Sequence, residues 1–316
     1  VLCVGEALVD LLPDRRGALE EVETFRRCVG GAPANVALGL ARLRAHVGFV
    51  GLVGDDSFGR YLVSALSQEG VDATGLFRTK DAKTGLTFIA LSASGERSFV
   101  SYRDPAADML LALDHVDSSL PLFRSARVVH LGSTSLSRDP ARTATWRAVE
   151  LAKEHGAYLS CDPNLRLHIW NDRQAALDAA RRLVTCADIV KLSDDEAELL
   201  YGTRDPAEAA RRVRAEGPKV AAITMAERGA YLSAPHFEGH APAVSVEVVD
   251  TTGAGDGFCA GLLSVLAPAL RQTARIQDLS AEECRHALTR ANAVGAAVVA
   301  SLGATPGLPR LSEIES

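Results

Sequence analysis

The segment Asp250–Gly261 reads DTTGAGDGFCAG and sets small residues and two carboxylates between two apolar stretches. Ahead of it, the β-branched run Val244, Val246, Val248 and Val249 predicts a strand. Behind it, Phe258 to Leu266 predicts a helix. Small residues at such a turn let a ligand approach the backbone. The first N–H groups of a helix have no intrahelical partner, and the macrodipole adds about half a positive charge there. The turn Gly253-Ala254-Gly255 is therefore a candidate anion hole, suited above all to phosphate. Asp256 sits inside it, where it could take a proton from an attacking hydroxyl. A tight connection with a capping Asp is the plain alternative. The length of the segment, its paired threonines and an Asp in the first turn favour the functional reading.

Other polar groups stand where predicted strands end. Gly30-Gly31-Ala32-Pro33-Ala34-Asn35 precedes a predicted helix running to about Leu43. Asn35 offers the donor and acceptor that a pair of sugar hydroxyls needs, although the motif also serves as a plain helix start. Asp10 closes what reads as the first strand and could accept two hydroxyl hydrogen bonds. Asp162-Pro163-Asn164-Leu165-Arg166 ends another strand, with ordinary turn chemistry as the alternative. Lys191 and Ser193-Asp194-Asp195-Glu196 follow the next strand. Glu196 could hold a magnesium-bound water, and it also completes a capping box with Ser193; both can hold at once. Tyr102-Arg103 closes a predicted hairpin and could meet substrate oxygens.

The elements that must position these groups alternate as strand and helix. Predicted strands lie at 46–53, 127–131, 158–161, 188–192, 219–225 and 231–233, and helices at 57–69, 140–155, 172–185 and 281–299. This order implies an α/β fold with a mainly parallel sheet and helices on both faces, with ligands gathered at the carboxyl ends of the strands. Residues 14–29 and 85–103 break the pattern as β-structure without helix, the second with a Ser94-Gly95 turn. They predict a small β-sheet lid on a core made of 1–13, 30–84 and 104–316. The 316 residues are 47% hydrophobic with a net charge of −6, which excludes a broadly basic nucleic-acid surface. Six scattered cysteines without CxxC pairs argue against a zinc site and for free thiols in a reducing compartment. No signal peptide or membrane-spanning run is evident, so a cytoplasmic location is expected.

Taken together, the chain resembles the ribokinase-like carbohydrate kinases of the phosphofructokinase-B type along essentially its whole length. Asp250–Leu263 matches the family's C-terminal signature, and Gly30 through Asn35 with Gly54 match the N-terminal one. The details look most like fructokinases: GEALVDLLP at 5–13, GGAPANVALGLA at 30–41, SYRDPAADMLL at 101–111, HLGSTSL at 130–136 and DPNLRLHIW at 162–170. The resemblance implies ATP-dependent phosphorylation of a sugar hydroxyl, with Asp256 as base and the amides of Gly253, Ala254, Gly255 and Asp256 as anion hole. It implies sugar contacts from Asp10, Gly30, Gly31, Asn35 and Arg103, and places Arg166, Lys191, Ser193 and Glu196 around phosphates and Mg2+. Thr224, Gly229 and Asn292 are expected beside the nucleotide. A monovalent cation, K+, is expected near Asp250, Thr252, Ser301 and Gly303.

Three positions depart from the pattern: Arg44 where Gly or Ser is usual, Ser193 in place of the more widespread Asn, and Ala226 where Gly is common. The reading is a fructokinase making fructose 6-phosphate from D-fructose. Its rivals are a 2-keto-3-deoxygluconate kinase, whose substrate carboxylate Arg103 and Arg166 could pair, and another sugar or nucleoside kinase. A non-catalytic sugar or nucleotide sensor is the alternative from a different class. Exposed lid strands suggest a homodimer; no nucleic-acid or membrane partner is expected.

Overall fold

The structure is a computed structural model and describes residues 1–15, 17–91 and 97–315. Strands β1 (Leu2–Val4), β2 (Leu8–Pro13), β3 (Phe25–Gly30), β4 (Gly48–Gly54), β5 (Asp72–Thr79), β6 (Leu86–Leu91) and β7 (Arg97–Tyr102) form the first part of the chain. They are followed by β8 (Val128–Leu131), β9 (Tyr158–Cys161), β10 (Ile189–Ser193), β11 (Val220–Thr224), β12 (Ala230–Ala234) and β13 (Phe237–Ala241). One sheet has the order β13-β12-β11-β10-β9-β8-β1-β4-β5, parallel except for the β11–β12–β13 edge. The other, β3-β2-β6-β7, is small and separate. This is the expected α/β class with a second β-sheet.

Apolar residues from strand and helix close a core on each face of the large sheet. One core gathers the helices Ala32–Arg42, Ser57–Gln68, Ala254–Gln272 and Ala281–Val299. The other gathers Ala141–Glu154, Arg173–Cys186, Asp194–Tyr201 and Pro206–Ala215. Strands such as β4 are buried on both sides and read as unbroken apolar runs. All six cysteines are free, and five are buried.

The sequence expectations need correction in four places. The opening run VLCVGEALVDLL is not one strand. It breaks after Val4, and β2 leaves the large sheet to pair with β3 and β6 of the small one. Asp10 therefore lies within β2, opposite Cys28 and Thr87, rather than at the end of the first strand. Residues 244–249 form no strand. Val244 and Val248 are 48% and 59% exposed, and the N–H groups of Val249 and Asp250 bond to Val299 O instead of a strand neighbour. β-branching favours a pleated surface only where a partner exists. Within 14–29, only β3 and one turn of 3₁₀-helix at Leu19–Glu21 form, and the Ser94-Gly95 turn lies outside the described residues. The strands β5 and β13 and the helix Pro206–Ala215 were not expected. β5 and β13 are half-exposed and carry few apolar residues.

Arg44 explains its own departure from the family pattern. The helix Ala32–Arg42 ends with Leu43, and Arg44 follows at φ +61°, in the left-handed region. Its N–H bonds to Ala41 O, and that of Ala45 to Leu40 O, a helix-ending arrangement that favours glycine. The Arg44 side chain is exposed. Removing the left-handed strain outweighs the added freedom of the unfolded chain, so Arg44→Gly should raise stability by about 0.5–1 kcal/mol. An unchanged or lower urea midpoint would contradict this.

Candidate active site

The helix Ala254–Gln272 starts at Gly253, which takes φ +78° and sits against Ala304. Ala254 N is directed to Thr251 O at 3.3 Å and Gly257 N to Gly253 O at 2.8 Å. Helix geometry leaves the N–H groups of Gly255 and Asp256 without an intrahelical acceptor. The turn is fixed from behind by Asp250. Its Oδ1 accepts from Thr252 N at 2.9 Å and Thr252 Oγ1 at 2.8 Å, and its Oδ2 accepts from Gly303 N at 2.8 Å. This brings Asp250, Thr252 and Gly303 together, with Ser301 held nearby through its N–H to Val298 O.

Asp256 is buried, and its Oδ2 accepts a hydrogen bond from Asn35 Nδ2 at 2.8 Å. Asn35 Oδ1 is buried and has no hydrogen-bond partner among the described residues, an acceptor left for a ligand. Asp10 is buried against Gly30, where a Cβ would lie 2.4 Å from the Asp10 carboxyl carbon. A side chain there would have to displace the Asp10 carboxyl. Gly31 is packed as tightly against Glu6 O. Arg103 is ion-paired with Asp108, and both side chains are largely buried. Asn35 N bonds to Gly31 O, and Asp10 lies close enough to Asp256 and Arg103 to be shifted by both, so Asp10, Gly30, Gly31, Asn35 and Arg103 are linked around Asp256.

Beneath the turn, Lys191 Nζ donates to Asp162 Oδ2 at 2.9 Å, both buried. A Cβ on Gly255 would lie 2.8 Å from Lys191 Nζ, so the ammonium lies directly under the turn. Ser193 caps its helix, and Glu196 closes the capping box. Glu196 Oε2 accepts from Ser193 N at 2.9 Å, and Oε1 from Leu165 N at 2.8 Å. This second bond ties the Asp162–Arg166 loop to the helix, with Arg166 exposed beside the site. Thr224 lies beside Ser193 across the β10–β11 pairing. Gly229 packs on Ala241 O, and Asn292 Nδ2 donates to Ala241 O at 2.9 Å and Pro242 O at 3.1 Å. Asn292 here pins the chain that leads into 244–249. Ala226 takes φ +50°, which accounts for the usual glycine at that place.

Sequence reasoning missed two buried acids. Glu6 and Asp108 lie inside the segments 5–13 and 101–111 quoted above but were given no role there, and only their burial beside Arg103 reveals them. Glu6 is pushed up by burial, with Arg103 opposing. Burial also pushes Asp10 up to about 7, helped by Asp256 and Asp250 and opposed by Arg103. Asp256 is pushed up to about 7, chiefly by burial; Asn35's hydrogen bond lowers it, Asp162 raises it, and Arg166 and Lys191 lower it. For Lys191, burial opposes the charge, but Asp162 and Glu196 outweigh it and hold the ammonium well above its ordinary value. The arrangement offers a base poised near neutrality, an anion-binding turn backed by a buried cation, and a polar recess for hydroxyls.

Fold and site together define a phosphoryl-transfer enzyme acting on an alcohol. The chain belongs to the pfkB family of carbohydrate kinases, whose model matches residues 1–311. It is 41% identical to fructokinase-1 of Oryza sativa over 99% of this chain and 96% of the relative. A double mutant of fructokinase from Vibrio cholerae, in a form with fructose, ADP and potassium bound, superposes with a TM-score of 0.87. The identity is 32%, over 99% of this chain and 96% of the other. Aminoimidazole riboside kinase from Salmonella enterica, complexed with aminoimidazole riboside and an ATP analogue, superposes at 0.85 with 32% identity over 99% and 98% of the two chains.

A carboxylate base acts in its ionised form, so kcat/KM should rise with pH through about 7. Asp10 titrates in the same range and couples to it. Asn35→Ala removes a bond to the ionised form of Asp256 and should move the rise to higher pH. A rise in the ordinary carboxylate range, about pH 4, would contradict the burial argument.

Proposed function

We propose that this carbohydrate kinase transfers the γ-phosphoryl group of ATP to the 6-hydroxyl of D-fructose, giving fructose 6-phosphate. The observation that carries the proposal is the buried Asp256 on the anion-binding turn, held by Asn35, in a chain about 40% identical to curated fructokinases along its whole length.

In this reading Asp10, Gly30, Gly31, Asn35 and Arg103 hold the sugar hydroxyls. Asp256 takes the 6-hydroxyl proton as that oxygen attacks phosphorus. Phosphoryl transfer asks mainly for position and charge neutralisation. The amides of Gly255 and Asp256, Lys191 beneath them and Arg166 at the mouth supply both. Thr224, Gly229 and Asn292 shape the nucleotide side.

Mg2+, when bound, would neutralise charge on the nucleotide phosphates, and Glu196 would hold it through a water. The donor set suits it: each Glu196 oxygen accepts one backbone N–H and keeps a lone pair for a metal-bound water. A monovalent cation is proposed at the 250–252 and 301–303 segments, which Asp250 already draws together. Metal groups of three or more His, Cys, Asp or Glu are absent among the described residues, so such an ion would rely on backbone carbonyls.

The riboside kinase similarity supports a second reading, a nucleoside substrate on the same machinery. A coupled ADP-release assay across fructose, other hexoses, sugar acids and ribosides separates the two. Asp256→Asn should lower kcat by about a hundred- to ten-thousand-fold while fructose binding, measured by calorimetry, stays close to wild type. A folded variant keeping roughly half the wild-type kcat would rule out Asp256 as the base.

We also propose a homodimer through the small sheet. Its edge strand β7 exposes Phe99, Val100 and Tyr102, at 51%, 42% and 65%. Exposed apolar side chains on an edge strand can take a second copy. Light scattering should give twice the 33.4 kDa chain mass, and Tyr102→Lys should return it toward the single-chain value. A monomeric wild type at assay concentrations would refute this.

A further inference from the structure

We propose that Asp108 is a specificity-determining residue: by neutralising Arg103 it denies a sugar acid the cation it would need, and so reserves the site for uncharged sugars. The proposal rests on the fructose reading and deepens it.

Arg103 is the only guanidinium among the sugar-side residues assembled above, and it is not free. Its Nη2 donates to Asp108 Oδ2, with the Asp108 side chain 2% exposed and that of Arg103 16%. Burial opposes the Arg103 charge, but Asp108, then Glu6, then Asp10 outweigh it. Three carboxyl groups therefore surround one cation, and the recess is acidic on balance. A substrate carboxylate entering it would have to displace Asp108 from Arg103, in a recess whose burial, the chief cause of the raised Glu6 and Asp10, already disfavours further negative charge.

The unmet hydrogen bonds point the same way. Among the described residues, Arg103 Nε and Asp108 Oδ1 are buried without a partner. The ion pair thus presents one donor and one acceptor. A hydroxyl is both donor and acceptor and can satisfy each, whereas a carboxylate only accepts and is repelled by Asp108. The pair is also well placed. A Cβ on Gly85 would lie 3.1 Å from Arg103 Cγ and 3.2 Å from Asp108 Oδ1, and Gly85 O accepts from Val9 N at 3.0 Å, next to Asp10. Arg166, the other cation considered for a sugar acid, lies on the phosphate side, in the loop that Glu196 holds.

The test compares kcat/KM for fructose and for 2-keto-3-deoxygluconate in the wild type, Asp108→Asn, Asp108→Ala and Asp108→Glu. Wild-type turnover of fructose reads the parent assignment by itself; the change in selectivity on substitution reads the role of Asp108. The Asn and Ala variants should shift the fructose-to-acid ratio toward the acid by about tenfold or more, mainly through KM, because they release Arg103 for a charge-assisted bond. Asp108→Glu should keep the wild-type preference. In parallel, gluconate should inhibit the Asn and Ala variants more strongly than the wild type, in competition with fructose. A folded Asn or Ala variant, with wild-type KM for ATP and an unchanged ratio, overturns the proposal. So does equal gluconate inhibition in all four proteins.

Discussion

The buried ion pair between Lys191 and Asp162 is the interaction on which the site turns. A turn that must bind several negative charges needs a positive charge beneath it, and water cannot be there if Asp256 is to stay near neutrality. Lys191 fills that place, 2.9 Å from Asp162 and against Gly255. A lone buried ammonium would be costly, and Asp162 removes most of that cost. The pair fixes other choices. A side chain at 255 would have to push the Lys191 ammonium aside, and the β9–β10 pairing of Cys161 with Val190 brings the next residues, Asp162 and Lys191, level with each other. Cys259 Sγ, at 3.7 Å from Asp162 Oδ2, completes the enclosure one helical turn further on.

Charge then divides the cleft. The phosphate side has Lys191, Arg166 and helix N–H groups. The sugar side has Glu6, Asp10 and Asp108 around Arg103, with Asp256 between the two. In the proposed reading this field draws phosphate toward one wall and leaves hydroxyls for the other, with Asp256 pushed up to about 7 between them. Asp10 belongs to the small sheet and Asp256 to a helix packed on the large one, so the coupling between these two acids crosses the boundary between the two sheets.

Much of this was legible in the chain. The strand-to-helix turn at 250–261 was readable because small residues and an Asp at a helix start have few other uses together. The alternation of helices and strands was readable from periodicity. The path of the chain between sheets was not: β1 and β2 share the same period, and nothing in VLCVGEALVDLL marks where one sheet is exchanged for another. Valines at 244–249 looked like a strand because sequence shows propensity and not whether a partner strand is present. Glu6 and Asp108 stood inside recognised segments, but nothing in the order of residues shows that both would be buried against Arg103. Arg44, a departure from the pattern, gains its physical reason only from its backbone φ in the structure.

The central claim is that Asp256 and the anion turn meet the same pair of reacting atoms. The most direct measurement is the crystal structure with fructose, ADP, Mg2+ and aluminium fluoride as a mimic of the transferring phosphoryl group. The expected result places the fructose 6-hydroxyl oxygen about 2.6–3.2 Å from an Asp256 carboxyl oxygen, with the fluoride group on the N–H groups of Gly255 and Asp256. A different sugar hydroxyl at Asp256, or a fluoride group held away from the turn, would contradict the account.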